Sequence, residues 1–310
     1  MDFLFSRSSK PVALVTGIRG FTGRYLADEL RSMGYDVIGT SHAPEASDTC
    51  IYDIDLCDRS AVSRFIEIVE PTVVFHLAAI SHVSHRDVDL IYNVNILGTR
   101  NLLEALASVP NRPDKIVLAS SANIYGNADA DLISESVSPN PANDYAVSKF
   151  AMEKMAQLWS DKLSIVITRP FNYTGVGQSE GFLIPKIVRQ FQLRAPCIEL
   201  GNLYVYRDFS DVRWVAKVYS QMIEVARPNE IYNICSGIGY GLYQIISMLE
   251  EIAGYQIEAR VNPQFVRSNE VHRLVGDGKK LNQVIHDIPT LSFRSTLQWM
   301  YECGGAKSPT

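Results

Sequence analysis

Tyr145 and Lys149 stand four residues apart in Tyr145-Ala-Val-Ser-Lys149, and a serine pair, Ser120-Ser121, closes the apolar run Lys115-Ile-Val-Leu-Ala119 upstream. Residues four apart share one face of a helix, so a helical segment here points the phenol and the ammonium into the same space. A nearby cation favours phenolate, which lowers the tyrosine pKa and prepares it to exchange a proton near neutral pH. A serine hydroxyl close to that phenol can hold a carbonyl or alcohol oxygen. Together these groups can move a proton on a substrate oxygen while hydride moves on the adjacent carbon.

Such chemistry needs a hydride carrier, and the N-terminal region provides a place for one. Pro11-Val-Ala-Leu-Val-Thr16 reads as a short buried strand, followed at once by Gly17-Ile-Arg-Gly20-Phe-Thr-Gly23. A helical pattern runs from Tyr25 to Leu30, and Asp36-Val-Ile-Gly39 reads as a second strand. Strand, glycine turn, helix and strand form the context in which a glycine motif binds a dinucleotide. The glycines permit close backbone approach, and the helix N-terminus offers free N–H groups to a pyrophosphate. The spacing is G-x-x-G-x-x-G rather than G-x-G-x-x-G.

The elements that must position these groups follow a regular order. Val73 to Ala79 reads as a strand, and Asn95 to Ala107 as a helix with Leu97, Leu102, Leu103 and Leu106 on a buried stripe. Ile116-Val-Leu is a strand, Tyr145 to Trp159 a helix, and Ser164 to Thr168 another strand. This alternation predicts an α/β fold, a Rossmann-type doubly wound parallel sheet covered on both faces. Past Pro170 the pattern loosens, with a helix over Phe182 to Phe191, a strand at Ile231 to Ile234 and a helix over Tyr243 to Ile252. We expect a dinucleotide-binding domain over 11–172, completed by about 207–236. A smaller C-terminal substrate-binding lobe is expected over 173–206 and 237–310, with 1–10 as a tail. Such a lobe would cap the sheet edge where open α/β sheets bind ligands.

Bulk composition narrows the classes. The 310 residues are 46% apolar and 20% charged, as in a globular protein with a sizeable core. A net charge of -5 and the lack of a Lys/Arg-rich run argue against a nucleic-acid partner. No apolar stretch approaches a membrane span, and Phe3-Leu-Phe5 is too short for a signal-peptide core. The five cysteines (Cys50, Cys57, Cys197, Cys235, Cys303) form neither a C-x-x-C nor a Cys/His cluster. We therefore expect reduced thiols, a cytoplasmic location and no metal site. His76, His82 and His85 lack convincing ligand spacing, and His76 reads as a satisfied strand residue.

With these pieces in place the chain resembles the extended short-chain dehydrogenase/reductase family, in its nucleotide-sugar branch, from Val12 to about Val284. The resemblance rests on Thr16 to Gly23, on His76-Leu-Ala-Ala79, on Asn95 to Ala105, and on Ser120-Ser121 through Tyr125-Gly126. Tyr145/Lys149 and Arg169-Pro-Phe-Asn172 complete it. The stretches Arg169 to Gln178, Leu200-Gly-Asn-Leu203, Arg207 to Arg213, and Arg267 to Val271 with Gly276-Asp277 look like the GDP-4-keto-6-deoxymannose reductases and the related GDP-mannose 4,6-dehydratases. Two positions depart from the pattern: Ser268 stands where proline is usual, and Trp214 where an acidic residue is usual.

The resemblance implies a catalytic set of Ser121, Tyr145 and Lys149. It implies cofactor contacts from Gly17, Arg19, Gly20, Phe21, Thr22, Gly23, Thr40, Ser41, Asp55, Leu56, Leu77, Ala78, Ala79, Asn95 and Lys149. Substrate contacts are expected from Ser81, Ser121, Asn123, Asn172, Lys186, Arg207, Arg267 and Glu270. Arginines suit diphosphate oxygens in fork geometry, and Glu270 can accept from ribose hydroxyls. The partner is then a nucleotide-diphosphate sugar.

Which reaction follows depends on the residues after Ser121. A 4,6-dehydratase needs an acid/base beyond the tyrosine, and in dehydratases of this family an acid falls where Asn123 stands, often with an aspartate where Ala122 stands. Neither residue can ionise, so dehydration is disfavoured. Reduction of a 4-keto group, most readily in GDP-4-keto-6-deoxymannose, is favoured; a 4-epimerase or a dTDP-4-keto-6-deoxyhexose reductase remains open, and a non-catalytic dinucleotide sensor is disfavoured by the retained Tyr and Lys. Gly39-Thr-Ser-His42 carries no carboxylate to repel a 2′-phosphate, so NADP(H) is favoured, with NAD(H) possible. The family commonly forms homodimers by packing the helices that begin near Asn95 and Tyr145. Phe150, Met152 and Met155 would serve that interface or the internal core.

Overall fold

The computed structural model describes residues 10–42, 49–81, 87–266 and 271–303. In chain order the first elements are β1 (Val12–Thr16), α1 (Phe21–Ser32), β2 (Asp36–Thr40), β3 (Ile51–Tyr52), α2 (Arg59–Val69) and β4 (Val73–His76). Then come α3 (Val88–Tyr92), a π-helical turn over Asn93–Gly98, α4 (Thr99–Ser108), β5 (Lys115–Ala119), α5 (Asp144–Ala156) and β6 (Ile165–Pro170). The remainder comprises β7 (Asn172–Thr174), α6 (Leu183–Gln192), β8 (Cys197–Leu200), β9 (Tyr206–Asp211), α7 (Val212–Val225) and β10 (Ile231–Ile234). Last are β11 (Gly239–Gly241), α8 (Leu242–Ala253), β12 (Glu258–Val261), β13 (Arg273–Leu274), α9 (Lys279–Asn282) and α10 (Phe293–Cys303).

The chain divides into two compact units. The first is Met1–Ile124, Asn143–Arg169 and Ala216–Tyr232; the second is Tyr125–Ala142, Pro170–Val215 and Asn233–Thr310. Residues 125–142, 170–172, 207–215 and 233–236 group with the second unit, whereas the sequence leads one to expect them in the dinucleotide-binding domain.

A seven-stranded sheet in the order β10-β6-β5-β4-β1-β2-β3 forms the frame of the first unit. The pairs from β3 through β6 are parallel, so the strand order reverses between β1 and β4, the topological switch point at which doubly wound folds bind ligands. Strand residues alternate between faces. Leu14, Val74, Ile116, Leu118, Ile165 and Ile167 pack with Val62, Phe65 and Ile66 of α2, Leu102, Leu103 and Leu106 of α4, and Met152 and Ala156 of α5. Their neighbours Ala13, Val15, Val37, Phe75, Val117 and Val166 are buried as well, which is why these strands read as continuous apolar runs. Side-chain caps start α2, α3 and α5: Asp58 accepts from Ser60 and Ala61, Asp87 from Leu90, and Asn143 from Ala146.

Two expectations change here. β4 ends at His76 rather than Ala79: Leu77 N–H makes the last backbone bond to β1, on the Thr16 carbonyl, and Ala78 N–H turns to the Thr16 side-chain hydroxyl instead of a strand carbonyl. Leu97, expected in the core, is 50% exposed, whereas Leu102, Leu103 and Leu106 are at most 1% exposed. The wide π turn re-phases the helix ahead of α4, placing Asn95 inward and Leu97 outward.

In the second unit β9 pairs with β7 and β13 in parallel and with β11 antiparallel, and β8 pairs with β12. Ile187 and Phe191 of α6, Ile245 and Leu249 of α8, and Leu297 and Met300 of α10 enclose its core. Phe209 stacks on Phe293 at 5.1 Å between ring centroids. Trp214 is 7% exposed and so is a buried packing residue.

Candidate active site

The site in the first unit is assembled from β1, β4, β5 and α5. Tyr145 and Lys149 lie one turn apart on the buried face of α5, 7% and 4% exposed. The Lys149 ammonium donates to the carbonyl of Ala119, the last residue of β5, at 2.7 Å. That bond ties the helix face to the strand end from which Ser120 and Ser121 emerge. Burial brings Lys149 down to about 8 from 10.5, and the carboxylate of Glu153, one turn further along α5, pulls in the opposite direction.

Glu153 is itself buried, and the Arg169 guanidinium meets it in fork geometry, Nε to Oε1 at 3.0 Å and Nη2 to Oε2 at 2.6 Å. The side chains are 1% and 5% exposed. Sequence reading noted Arg169 only as part of a motif and missed Glu153. Its position four residues beyond Lys149 was the available signal.

Ser121 is 5% exposed and opens a 3-10 turn over Ala122–Tyr125. Its Oγ accepts from both the backbone N–H and the side-chain Nδ2 of Asn123, each at 3.1 Å. Ala122, which is buried, and Asn123 carry no ionisable group.

A chain of hydroxyls and one imidazole braces this region. His76 Nδ1 lies 2.7 Å from Thr16 Oγ1, and Nε2 lies 2.7 Å from Thr99 Oγ1. Thr99 gives its proton to the Asn95 carbonyl at 2.8 Å, so its oxygen must accept from His76, which places the ring proton on Nε2. Nδ1 then accepts from Thr16, whose oxygen in turn receives the Ala78 N–H at 3.2 Å. Burial, followed by the charge on Lys149, holds the imidazole at about 3, hence neutral. The sequence reading of His76 as a satisfied strand residue agrees with this.

The glycine turn has the shape of a phosphate cradle. Gly17 has φ +71°, and a Cβ there would lie 3.0 Å from Ala78 Cα and N. A Cβ on Gly23 would lie 2.5 Å from the carbonyl oxygens of Gly17 and Ile18. Thr40 receives the Gly17 and Ile18 N–H groups on its carbonyl, which joins the turn to the end of β2. Gly20 at the head of α1 has no side chain to cap the helix, and a helix N-terminus carries the positive end of the dipole that favours an anion. Arg19 and Phe21 are half-buried beside it, Thr22 is buried, and Ser41 follows directly after β2. These residues fit a dinucleotide.

Other predicted contacts are placed as follows. Asp55 is exposed and accepts from Cys57 N at 2.8 Å, while Leu56 is part of the core. Leu77, Ala78 and Ala79 are half-buried at the exit of β4, and Ser81 is exposed. Asn95 is 1% exposed and spends its amide on Ile80 N, Ile80 O and Ser148 Oγ. It clamps the β4 exit to α5.

In the second unit, Asn172 donates to the Asp208 carbonyl at 3.3 Å. Lys186 sits 4.2 Å from the Phe265 ring centroid and donates to Glu199 O. Arg207 donates to the carbonyls of Tyr206 and His272. Arg267, Ser268 and Glu270, like His82 and His85, lie outside the described residues. An unforeseen feature is Asp208, fully buried, whose carboxylate collects Ser236 N and Oγ, Gly237 N and Gly276 N. Among the described residues no cluster of His, Cys, Asp or Glu is gathered as a metal site, and no helix is long and apolar enough to cross a membrane.

A doubly wound sheet, a glycine cradle after its first strand and a Tyr/Lys/Ser set on α5 and at the end of β5 define a dinucleotide-dependent oxidoreductase. The chain belongs to the NAD dependent epimerase/dehydratase family, whose model matches residues 13–235. It is 36% identical over 293 residues to the GDP-6-deoxy-D-talose 4-dehydrogenase of Aggregatibacter actinomycetemcomitans, covering 93% of this chain and 96% of that protein. It is 31% identical over 295 residues to the GDP-6-deoxy-D-mannose reductase of Pseudomonas aeruginosa, covering 92% and 94%. Among solved structures, Pseudomonas aeruginosa RMD complexed with NADPH superposes with TM-score 0.83 at 29% identity, covering 94% of this chain and 98% of that one. The Thermus thermophilus UDP-glucose 4-epimerase complexed with NAD gives TM-score 0.84 at 26% identity, covering 96% and 100%.

Proposed function

We propose that this protein uses NADPH to reduce the 4-keto group of a nucleotide-activated 4-keto-6-deoxyhexose, with GDP-4-keto-6-deoxymannose as the substrate. The observation that carries the reading is the neighbourhood of Ser121. Tyr145 and Lys149 supply one proton-transfer site, and Ala122 and Asn123 supply no second acid or base for dehydration. Both relatives are named for GDP-6-deoxysugars, and the first for dehydrogenation at position 4, which supports the nucleotide and the position. Mannose and talose differ only at C4, so the face of the ketone presented to the hydride decides which sugar forms.

Dihydronicotinamide, when bound, would supply the hydride for the C4 carbonyl carbon. Tyr145 breaks its O–H bond and delivers the proton to the C4 oxygen, leaving a tyrosinate. Ser121 donates a hydrogen bond to the same oxygen as charge develops there. Lys149, held by Ala119, keeps a positive charge near the phenol and would hold the nicotinamide ribose. Gly17, Gly20 and Gly23 admit the pyrophosphate to the head of α1, with Arg19, Thr40 and Ser41 toward the 2′-phosphate. Arg207 and Asn172, with Arg267 and Glu270, are the proposed contacts of the nucleotide diphosphate.

A cytoplasmic homodimer belongs to the same reading. The exposed apolar residues Leu90, Leu97 and Val147 lie on α3, the π turn and α5, whereas Met152 is fully buried and Met155 packs against the same core, which leaves Phe150 and Val147 as the candidates on α5. Sedimentation analysis checks this: a dimer is expected, and a monomer at micromolar concentration overturns it.

The functional test is incubation with NADPH and a panel of GDP-, dTDP- and UDP-4-keto-6-deoxyhexoses. Cofactor oxidation with the GDP sugar supports the proposal. Sugar conversion without net oxidation indicates an epimerase instead.

A further inference from the structure

Ser121 and Asn123 are joined in a way that limits what the serine can do. A hydroxyl has one proton to give and two lone pairs to receive. Both lone pairs of Ser121 Oγ are engaged, one by the backbone N–H of Asn123 and one by its Nδ2, each at 3.1 Å. The 3-10 turn enforces the first contact, since Ile124 N also closes back on Ser121 O at 3.3 Å. The second depends wholly on residue 123 being an amide with a donor at that end. Ser121 is buried, so solvent does not compete for these positions.

We infer that Asn123 is a positioning residue that fixes Ser121 as an obligate hydrogen-bond donor, so that the proton passes directly between Tyr145 and the substrate oxygen and never through the serine. A serine relay requires Oγ to accept one proton while giving up another, and here no lone pair is left to accept it. The proton therefore leaves Tyr145 Oη and arrives on the C4 oxygen in one transfer, while the Ser121 proton stays on Oγ throughout. The same polarity suits a ketone, whose oxygen only accepts, and the alkoxide that grows from it. An acidic residue at 123 would reverse the arrangement: its carboxylate has no donor, and it would take the serine proton away from the substrate. The identity of residue 123 thus sets the direction of the serine hydrogen bond as well as withholding an acid. This inference rests on the proposed role of Ser121 at the C4 oxygen.

Two measurements on the full chain test it, and they separate its failure from that of the proposed function. In protein labelled with ¹⁵N-asparagine, without substrate, Ser121→Ala removes the acceptor. Both the backbone and the side-chain N–H signals of Asn123 are expected to move upfield. If the side-chain pair does not move, the polarity assignment is overturned, whatever the enzyme reduces. In kinetics with NADPH and the GDP-4-keto sugar, Asn123→Asp is expected to lose about 10²–10³-fold in kcat, the scale of one lost donor at a developing oxyanion. Its NADPH affinity should stay near that of the parent. The Ser121→Ala/Asn123→Asp double variant should be no slower than the slower single variant, because both remove the same donated bond. Independent, multiplying losses, or an Asn123→Asp enzyme with parental kcat, overturn the inference. If Ser121→Ala alone keeps full turnover, the proposed role of Ser121 falls instead.

Discussion

Lys149 Nζ is anchored at 2.7 Å on the carbonyl of Ala119, two residues before Ser121. One bond thus fixes the distance between the face of α5 that carries Tyr145 and the strand end that carries the serine. The ammonium is buried at that position, and desolvation brings its pKa down to about 8.

A pH dependence follows from that burial. Lys149 loses its charge as pH rises through about 8, so kcat/KM for reduction should decline above that value, approaching tenfold per pH unit. Lys149→Met should be slower at neutral pH and lack this limb. A limb that survives unchanged in Lys149→Met would assign it to another group.

Tyr145→Phe removes the proposed proton donor and little else. Turnover should fall by about 10²–10⁴-fold, the usual range for a positioned general acid, with NADPH binding retained by fluorescence titration. Near-normal turnover would remove Tyr145 from the chemistry.

Glu153→Gln tests the buried pair with Arg169. Breaking such a pair by removing one partner typically costs about 3–5 kcal/mol, readable in urea denaturation. The same change removes the carboxylate that raises the Lys149 pKa, so the alkaline limb should move to lower pH. A stability loss without that displacement would confine Glu153 to a structural role.

His76 predicts an acid sensitivity. The folded protein keeps the imidazole neutral down to about pH 3, whereas an unfolded histidine protonates near pH 6.5. Between those values the unfolded chain binds the extra proton, so stability rises with pH across the window and is lost on acidification. From pH 7 to 5 the cost is on the order of 2 kcal/mol from this group alone. His76→Gln should flatten the slope of unfolding free energy against pH relative to the parent; parallel slopes would refute the assignment.

The local parts of the site were legible in the sequence because their partners are close in the chain. Tyr145 and Lys149 share a helix face, and the glycine turn follows its strand immediately. The bracing of that site was not legible, since Glu153 meets Arg169 and His76 meets Thr16 and Thr99 only through the stacking of α5, β6, β4, β1 and α4. Asn95 was read as a cofactor contact, yet its amide is committed to Ile80 and Ser148. The π turn that sends Leu97 to the surface has no periodic signature, because it breaks the repeat from which the stripe was read. The second unit was the least legible: β7, β11 and β13 are two or three residues long, too short for an alternation pattern. Its clasp at Asp208 joins β9 to turns some thirty and seventy residues away.

The most direct test of the account is a stopped assay with purified protein, NADPH and GDP-4-keto-6-deoxymannose, following both cofactor oxidation and the sugar product by NMR. One NADPH should be consumed per sugar converted, and the product should be a GDP-6-deoxyhexose with a hydroxyl at C4. Conversion of the sugar with no net NADPH consumed, or no conversion of the GDP sugar beside turnover of a dTDP or UDP counterpart, would contradict the proposed reaction or its nucleotide.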